Sequence, residues 1–282
     1  MSPAPRSPQS DCCPLAPTPQ PRRLPLRPIA LPAEHGGWSL LLEPLVLALL
    51  LVPSAGGALL AGAAASLFLT RHPLKLALND RRRGKRYPRT AWAERFAALY
   101  AALALGCGLA ALALAGGSWG WPLLLAAPLA LLQLRFDAHN RGRDLLPEIA
   151  GAAALAAAAP ALVLAGGGDA RVAWALWAVA GTRAAVSILY VRARLRLERG
   201  APAPGRGPVL AHVLALGGML ALAALDLVPT LSVLAFGALL ARAAHGLSSQ
   251  RRPARATVIG LRELLFGLLT VGSTALGFAL GR

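Results

Sequence analysis

Ionisable residues that interrupt otherwise apolar runs are the ones able to do chemistry in this chain. Glu34, His35, Trp38 and Glu43 open the first run in EHGGWSLLLEP, and Arg71, His72, Lys75, Asn79 and Asp80 close the second in TRHPLKLALND. Asp144 and Glu148 lead the fifth, and Arg183, Tyr190 and Arg192 lie in or just after the sixth. Arg242 and His245 end the eighth, and Arg262 and Glu263 begin the ninth. A charge at the centre of a membrane helix costs about 2.5–3.5 kcal/mol on insertion scales, so such residues pair with one another or line a wet cavity. The guanidinium forks of Arg71, Arg183 and Arg192 and the ammonium of Lys75 suit phosphate oxygens. Arg71 and Lys75, one helical turn apart, equally suit snorkelling to headgroups. The carboxylates of Glu43 and Glu148 are too short to snorkel and predict a partner, such as Arg183, or contact with water. His35 and His72 have no second His or Cys at ligand spacing and read as interfacial rather than metal-binding. In HGGW the two glycines permit a close backbone approach, and Trp38 suits a membrane interface or a cap over a ligand. No nucleophile elbow, P-loop, dinucleotide fingerprint or HExxH is present.

The elements that must position these groups follow from composition. Of 282 residues, 56% are hydrophobic and 15% charged, with a mean hydropathy of +0.56. Soluble domains average about 45–50% apolar and about 25% charged. The excess excludes an ordinary soluble enzyme and a disordered chain alike. The net charge of +17 would suggest nucleic acid in a soluble protein, but here the basic residues sit between long apolar runs, which argues against a nucleic-acid partner. A bilayer-spanning helix takes about 20 apolar residues, and with that ruler about nine spans are predicted, at 38–52, 55–78, 96–115, 119–134, 145–165, 172–191, 209–225, 228–247 and 261–280. The fold class is therefore an all-α polytopic transmembrane bundle.

The connections alternate in kind. PSAGG, GGSWG, GGGDAR and DLVP are short, whereas NDRRRGKRYPRT, RFDAHNRGRD, RARLRLERGAPAPGRG and SSQRRPAR are basic. The positive-inside rule puts the basic loops and the N-terminus in the cytoplasm. Residues 1–30 are Pro-rich without an apolar core segment, which excludes a standard secretory signal and predicts a disordered cytoplasmic tail ahead of a membrane domain at 31–282. Cys12, Cys13 and Cys107 have no metal-ligand spacing and read as unpaired thiols in a reducing setting. Since the polar groups gather at the cytoplasmic ends of the spans, a one-sided cavity is favoured over a path through the membrane.

LPAEHGGWSLLLEPLVLALLL, the basic segment ending RYPRTAW, and NRGRDLLPEIAG together resemble the YwiC-like family of bacterial membrane proteins, over about 31–280. That family begins with a His-Gly-(Ala/Gly)-Trp element leading into its first span, and the resemblance implies the bacterial inner membrane without implying a particular reaction. More distantly the chain is similar to UbiA-type intramembrane prenyltransferases, which have nine helices, a cytoplasm-facing cavity, and acidic motifs after the second and sixth helices. In the first of these, NDxxDxxxD, Asn79 and Asp80 match the opening pair, while Arg83 and Tyr87 replace the later aspartates; at the second location YVRARLRLERG has no aspartate. In that superfamily the motifs hold Mg²⁺, a hard cation that needs oxygen ligands, so the replacements leave it few here.

The resemblance implies a UbiA-like arrangement and a protein that binds an anionic or isoprenoid lipid, acting as a transferase if it is an enzyme. The alternative is a non-enzymatic transporter or a lipid-binding accessory protein. Membrane lipids are the expected partners. The residues expected to line the site are His35, Glu43, Arg71, Lys75, Asn79, Asp80, Asp144, Glu148, Arg183 and Tyr190.

Overall fold

A computed structural model describes residues 25–32, 35–202 and 205–281; the side chains of His35 and Gly36 lie outside the described residues, as do Glu34, Cys12 and Cys13. Its described elements are all helical: α1 (Arg27–Ala30), α2 (His35–Leu51), α3 (Ala55–Arg82), α4 (Pro88–Ala115), α5 (Gly120–Ala138), α6 (Leu145–Ala156), α7 (Ala158–Ala165), α8 (Ala170–Glu198), α9 (Arg206–Ala224), α10 (Thr230–Leu247) and α11 (Ala256–Ala279). Each apolar run predicted from the sequence is helical. Six stretches among the described residues are long and apolar enough to cross a membrane, namely α4, α6 with α7, α8, α9, α10 and α11. This is a multi-pass membrane protein. Helix α2 is apolar but shorter, and α3 and α5 carry charged residues into their last turns.

Local chemistry sets the helix ends. Ser54 caps α3 by accepting from the Gly57 amide, and Asp169 caps α8 by accepting from the Arg171 amide. Pro88 occupies the first position of α4, where its missing N–H is not needed. The turn between α3 and α4 passes through Gly84 at φ +64°, a conformation that glycine adopts without strain. Ahead of these, α1 buries Ile29 against Ala77 and Ala93, so ordered structure begins before residue 31.

Helices α2 and α8 lie inside. α2 packs on α11, α7, α6, α8 and α3, and α8 packs on α6, α7, α9, α10 and α2. Leu41, Leu47, Ala48, Leu162, Val163 and Leu176 form the main buried cluster between them. By contrast α4 pairs almost wholly with α3, and only 11% of its apolar window is buried, against 61% for the α6–α7 span. α3, α4 and α8 have 28, 28 and 29 residues. At 1.5 Å per residue each is about 42 Å long, so each projects about 10 Å beyond a hydrocarbon core of about 30 Å. The projecting turns carry the charges.

The run at 145–165 was expected to be one helix and is broken at Ala157. Pro160 has no N–H to give the Ala156 carbonyl, and its ring crowds that carbonyl. The Ala157 amide turns to Ala154 instead, at 3.2 Å. The Ala153 carbonyl thereby freed accepts from Trp177 Nε1 at 2.9 Å, so α8 repairs the break in its neighbour. Removing that donor strands a carbonyl inside the bundle, at about 1–3 kcal/mol. Trp177→Phe is therefore expected to lower the thermal midpoint in detergent, whereas Trp174→Phe, at a ring that is 38% exposed, is expected to change stability by less than about 0.5 kcal/mol. Equal midpoints for the two variants would contradict this account of the break.

Candidate functional site

The ten residues singled out from the sequence fall into separate groups, and most already hold a partner. Arg71 donates through Nε to Asp137 Oδ2 at 2.6 Å, and Lys75 Nζ lies 3.5 Å from Asp137 Oδ1. With its amide oriented to satisfy both neighbours, Gln133 also accepts from Arg71 and donates to the Pro147 carbonyl, tying α3 to α5 and α6. Asp137 was passed over as one acid in a basic loop. Its position at the end of an apolar run, beside basic residues closing another, was the available signal.

Asp80 is 1% exposed. Arg89 donates to both of its oxygens, at 2.8 and 3.2 Å, and the Thr90 hydroxyl donates at 2.9 Å. Arg89, with Thr90, holds this carboxyl below the usual carboxylate range against the opposing effect of burial. Any cation binding there would have to displace a guanidinium. Asn79 beside it is half-buried and makes no side-chain hydrogen bond. Asp144 accepts from Arg141 at 2.8 Å, and Glu148 accepts from Arg192 at 2.6 Å. His35 is called from the sequence, but its side chain lies outside the described residues. Gly37 beside it lets α2 close on α3, since a Cβ there would lie 3.0 Å from the Phe68 ring. Among the described residues no three His, Cys, Asp or Glu side chains gather as a metal-holding group.

Glu43 and Arg183 do meet, inside the bundle. Arg183 Nε lies 3.0 Å from Glu43 Oε2, and the side chains are 3% and 13% exposed. Ser39 donates to Glu43 Oε1 at 2.7 Å, and Arg183 Nη2 donates to the Glu263 carbonyl at 2.7 Å. From there the chain of contacts continues. The Glu263 carboxylate pairs with Arg242, and Arg242 Nη2 stands 3.1 Å from His212 Nε2, with His212 Nδ1 2.7 Å from the Pro208 carbonyl. Five helices, α2, α8, α11, α10 and α9, share this buried network.

Arg242 is also the inner wall of a cavity of about 610 Å³ between the C-terminal ends of α8 and α10 and the start of α11. Its guanidinium lies 4.1 Å from the Tyr190 ring centroid and 5.1 Å from that of Phe266. Arg194, Arg251, Arg252 and Arg262 complete a five-arginine lining over an apolar floor that includes Ile259 and Ala238. Arg194 straps the α10–α11 connection in place. It donates to the Gly246 and Arg252 carbonyls and pairs with Glu198 at 2.8 Å, while Glu198 accepts from the Ala254 amide at 3.2 Å. Gly246 leaves room for Tyr190, whose hydroxyl a Cβ there would strike. Arg251 reaches only the Ser248 carbonyl, at 3.5 Å, and Arg252 and Arg262 make no ion pair with a described residue. Of the ten residues expected at a site, Tyr190 alone lines this cavity. Arg242 and Arg262 were visible in the sequence as charges at span ends, whereas Arg194, Arg251 and Arg252 read as ordinary members of basic loops.

These observations define an all-helical multi-pass membrane protein with an arginine-lined cavity at the end of its bundle. Residues 31–163 match the family model of YwiC-like proteins, so the resemblance carried by HGGW and NRGRDLLPEIAG holds over that stretch, a shorter one than 31–280. No curated protein and no solved structure matches the chain. The cavity is built from residues beyond the matched stretch.

The Glu43–Arg183 pair fits against α11 only because residue 267 is glycine. A Cβ there would overlap the Glu43 carboxylate and lie 2.9 Å from Arg183 Nη2. Gly267→Ala is expected to destabilise by about 1–3 kcal/mol. Gly272→Ala on the same helix meets nothing within 4 Å and is expected to be neutral or to stabilise by up to about 1 kcal/mol through helix propensity. Thermal unfolding in detergent separates them, and a neutral Gly267→Ala would show that the pair tolerates displacement.

Proposed function

We propose that this protein lies in the bacterial inner membrane with its basic loops and N-terminus in the cytoplasm, spans the membrane about nine times in a UbiA-like arrangement, and takes an anionic, lipid-like ligand into the arginine-lined cavity. One observation carries the reading: Arg252 and Arg262 face a cavity in which no carboxylate of the described residues neutralises them. Uncompensated cations around a partly apolar pocket suit a ligand with an acidic head and a hydrocarbon tail. An isoprenoid or acyl tail would lie along Phe266 and the apolar floor.

The prenyltransferase-like version gains little support from Asp80, whose oxygens are occupied by Arg89 and Thr90. Direct arginine–anion binding is the chemistry that the residues supply. A transporter is the second reading. The buried chain from Glu43 through Arg183, Glu263 and Arg242 favours it, since ionisable residues inside a membrane mark ion and proton paths by default.

Native mass spectrometry of the protein in detergent tests the first reading. A co-purifying anionic lipid is expected in the wild type with or without Mg²⁺. Its occupancy is expected to fall about tenfold or more in Arg252→Ala/Arg262→Ala, in line with the loss of charge-assisted contacts, and to hold in Arg71→Ala, where Asp137 occupies the arginine. Absence of any retained lipid, or loss of lipid only in Arg71→Ala, overturns the assignment of the cavity.

A further inference from the structure

We infer that the cavity selects a terminal phosphate group, carrying two or more negative charges on an ester or diphosphate end, over the singly charged phosphodiester of ordinary membrane lipids. The inference rests on the ligand-binding reading above and specifies its head group. It follows from which lining charges are already spent. Arg194 is neutralised by Glu198 and Arg242 by Glu263. Both are further immobilised, Arg194 by two backbone carbonyls and Arg242 between two aromatic rings. That leaves Arg251, Arg252 and Arg262, three cations without a carboxylate among the described residues.

A phosphodiester brings one charge and two free oxygens, and would leave most of that positive charge uncompensated in a partly enclosed space. A terminal phosphate brings three free oxygens and close to two charges at neutral pH. That number of acceptors matches three guanidinium forks, each able to donate twice to one phosphate. The Tyr190 hydroxyl is a further donor: the ring lines the cavity, and the hydroxyl makes no hydrogen bond with a described residue. The hydrogen bonds from Arg194 to the Gly246 and Arg252 carbonyls fix the backbone that carries Arg252 beside the cavity before a ligand arrives. Such preorganisation cuts the ordering cost of binding. The same head chemistry occurs on lipids and on soluble phosphate esters, and the two sources are separable.

The test measures binding of purified full-length protein in nanodiscs containing either phosphatidic acid or phosphatidylglycerol at equal mole fraction, together with titration of soluble glycerol 3-phosphate. The retained lipid is read by native mass spectrometry. Phosphatidic acid is expected to be retained about tenfold over phosphatidylglycerol, with the preference abolished in Arg252→Gln/Arg262→Gln and kept in Arg81→Gln, on the exposed α3–α4 hairpin. Competition by glycerol 3-phosphate at comparable concentration would assign a soluble ester as the ligand and keep the head-group inference. Equal retention of the two lipids, with both lost in the double variant, overturns the head-group inference and leaves the cavity reading standing. Retention of neither lipid, or retention unaffected by the double variant, overturns both. Tyr190→Phe, which preserves the ring stacked on Arg242, is expected to weaken phosphatidic acid retention about threefold or more without shifting the thermal midpoint; an unchanged retention removes the hydroxyl from the site.

Discussion

A charge buried among helices in hydrocarbon has to be answered by another charge, and in this protein that requirement is met by Glu43 and Arg183. Losing one partner of such a buried pair leaves the other uncompensated, typically at about 3–5 kcal/mol. The pair therefore dictates where its helices go. α2 must present its eighth residue after His35 to the middle of α8, and α11 must pass close enough to lend the Glu263 carbonyl yet remain bare at Gly267. The apolar cluster of Leu41, Leu47, Leu162 and Leu176 packs around that geometry. Apolar contacts between membrane helices discriminate weakly, because lipid tails are as apolar as leucine. The polar contact is what singles out one arrangement.

The same rule sorts the arginines. Arg71 is taken by Asp137, Arg89 by Asp80, Arg81 and Arg86 by Glu94, and Arg192 by Glu148. Each of these pairs joins the basic ends of neighbouring helices or closes a hairpin. At the α8–α10–α11 end, arginines that make no ion pair with a described residue line a cavity. The two acids there, Glu198 and Glu263, are spent on Arg194 and Arg242, which work as a strap and a wall. The remaining cations have no role in holding the fold that the structure reveals, and they face a cavity.

The all-helical class, the apolar runs and the alternation of loops were legible because each rests on local composition. An ion pair of Arg183 with either Glu43 or Glu148 was legible, since few cations enter the spans; the structure gives Arg183 to Glu43 and Arg192 to Glu148. What stayed hidden depends on contacts distant in sequence. Nothing around Ala157 shows that Trp177 repairs the helix break that Pro160 makes. Asp80 looked available because the residues that occupy it, Arg89 and Thr90, lie in the first turn of α4, and the path by which the α3–α4 turn brings them back is not written in its composition. Arg251 and Arg252 looked like solvated loop charges, and only the folded path of the α10–α11 connection places them beside the cavity.

The match to YwiC-like proteins ends at residue 163, and Arg183 lies beyond it. The matched stretch thus contains a buried carboxylate whose counter-charge, and whose α11 platform, belong to the rest of the chain. α2 cannot bury Glu43 as an ion without α8 beside it, so residues 31–163 do not complete their own electrostatics. The two portions of the chain are bound to each other by a charge, and the network that begins at Ser39 in the matched part ends on Arg242 at the wall of the cavity.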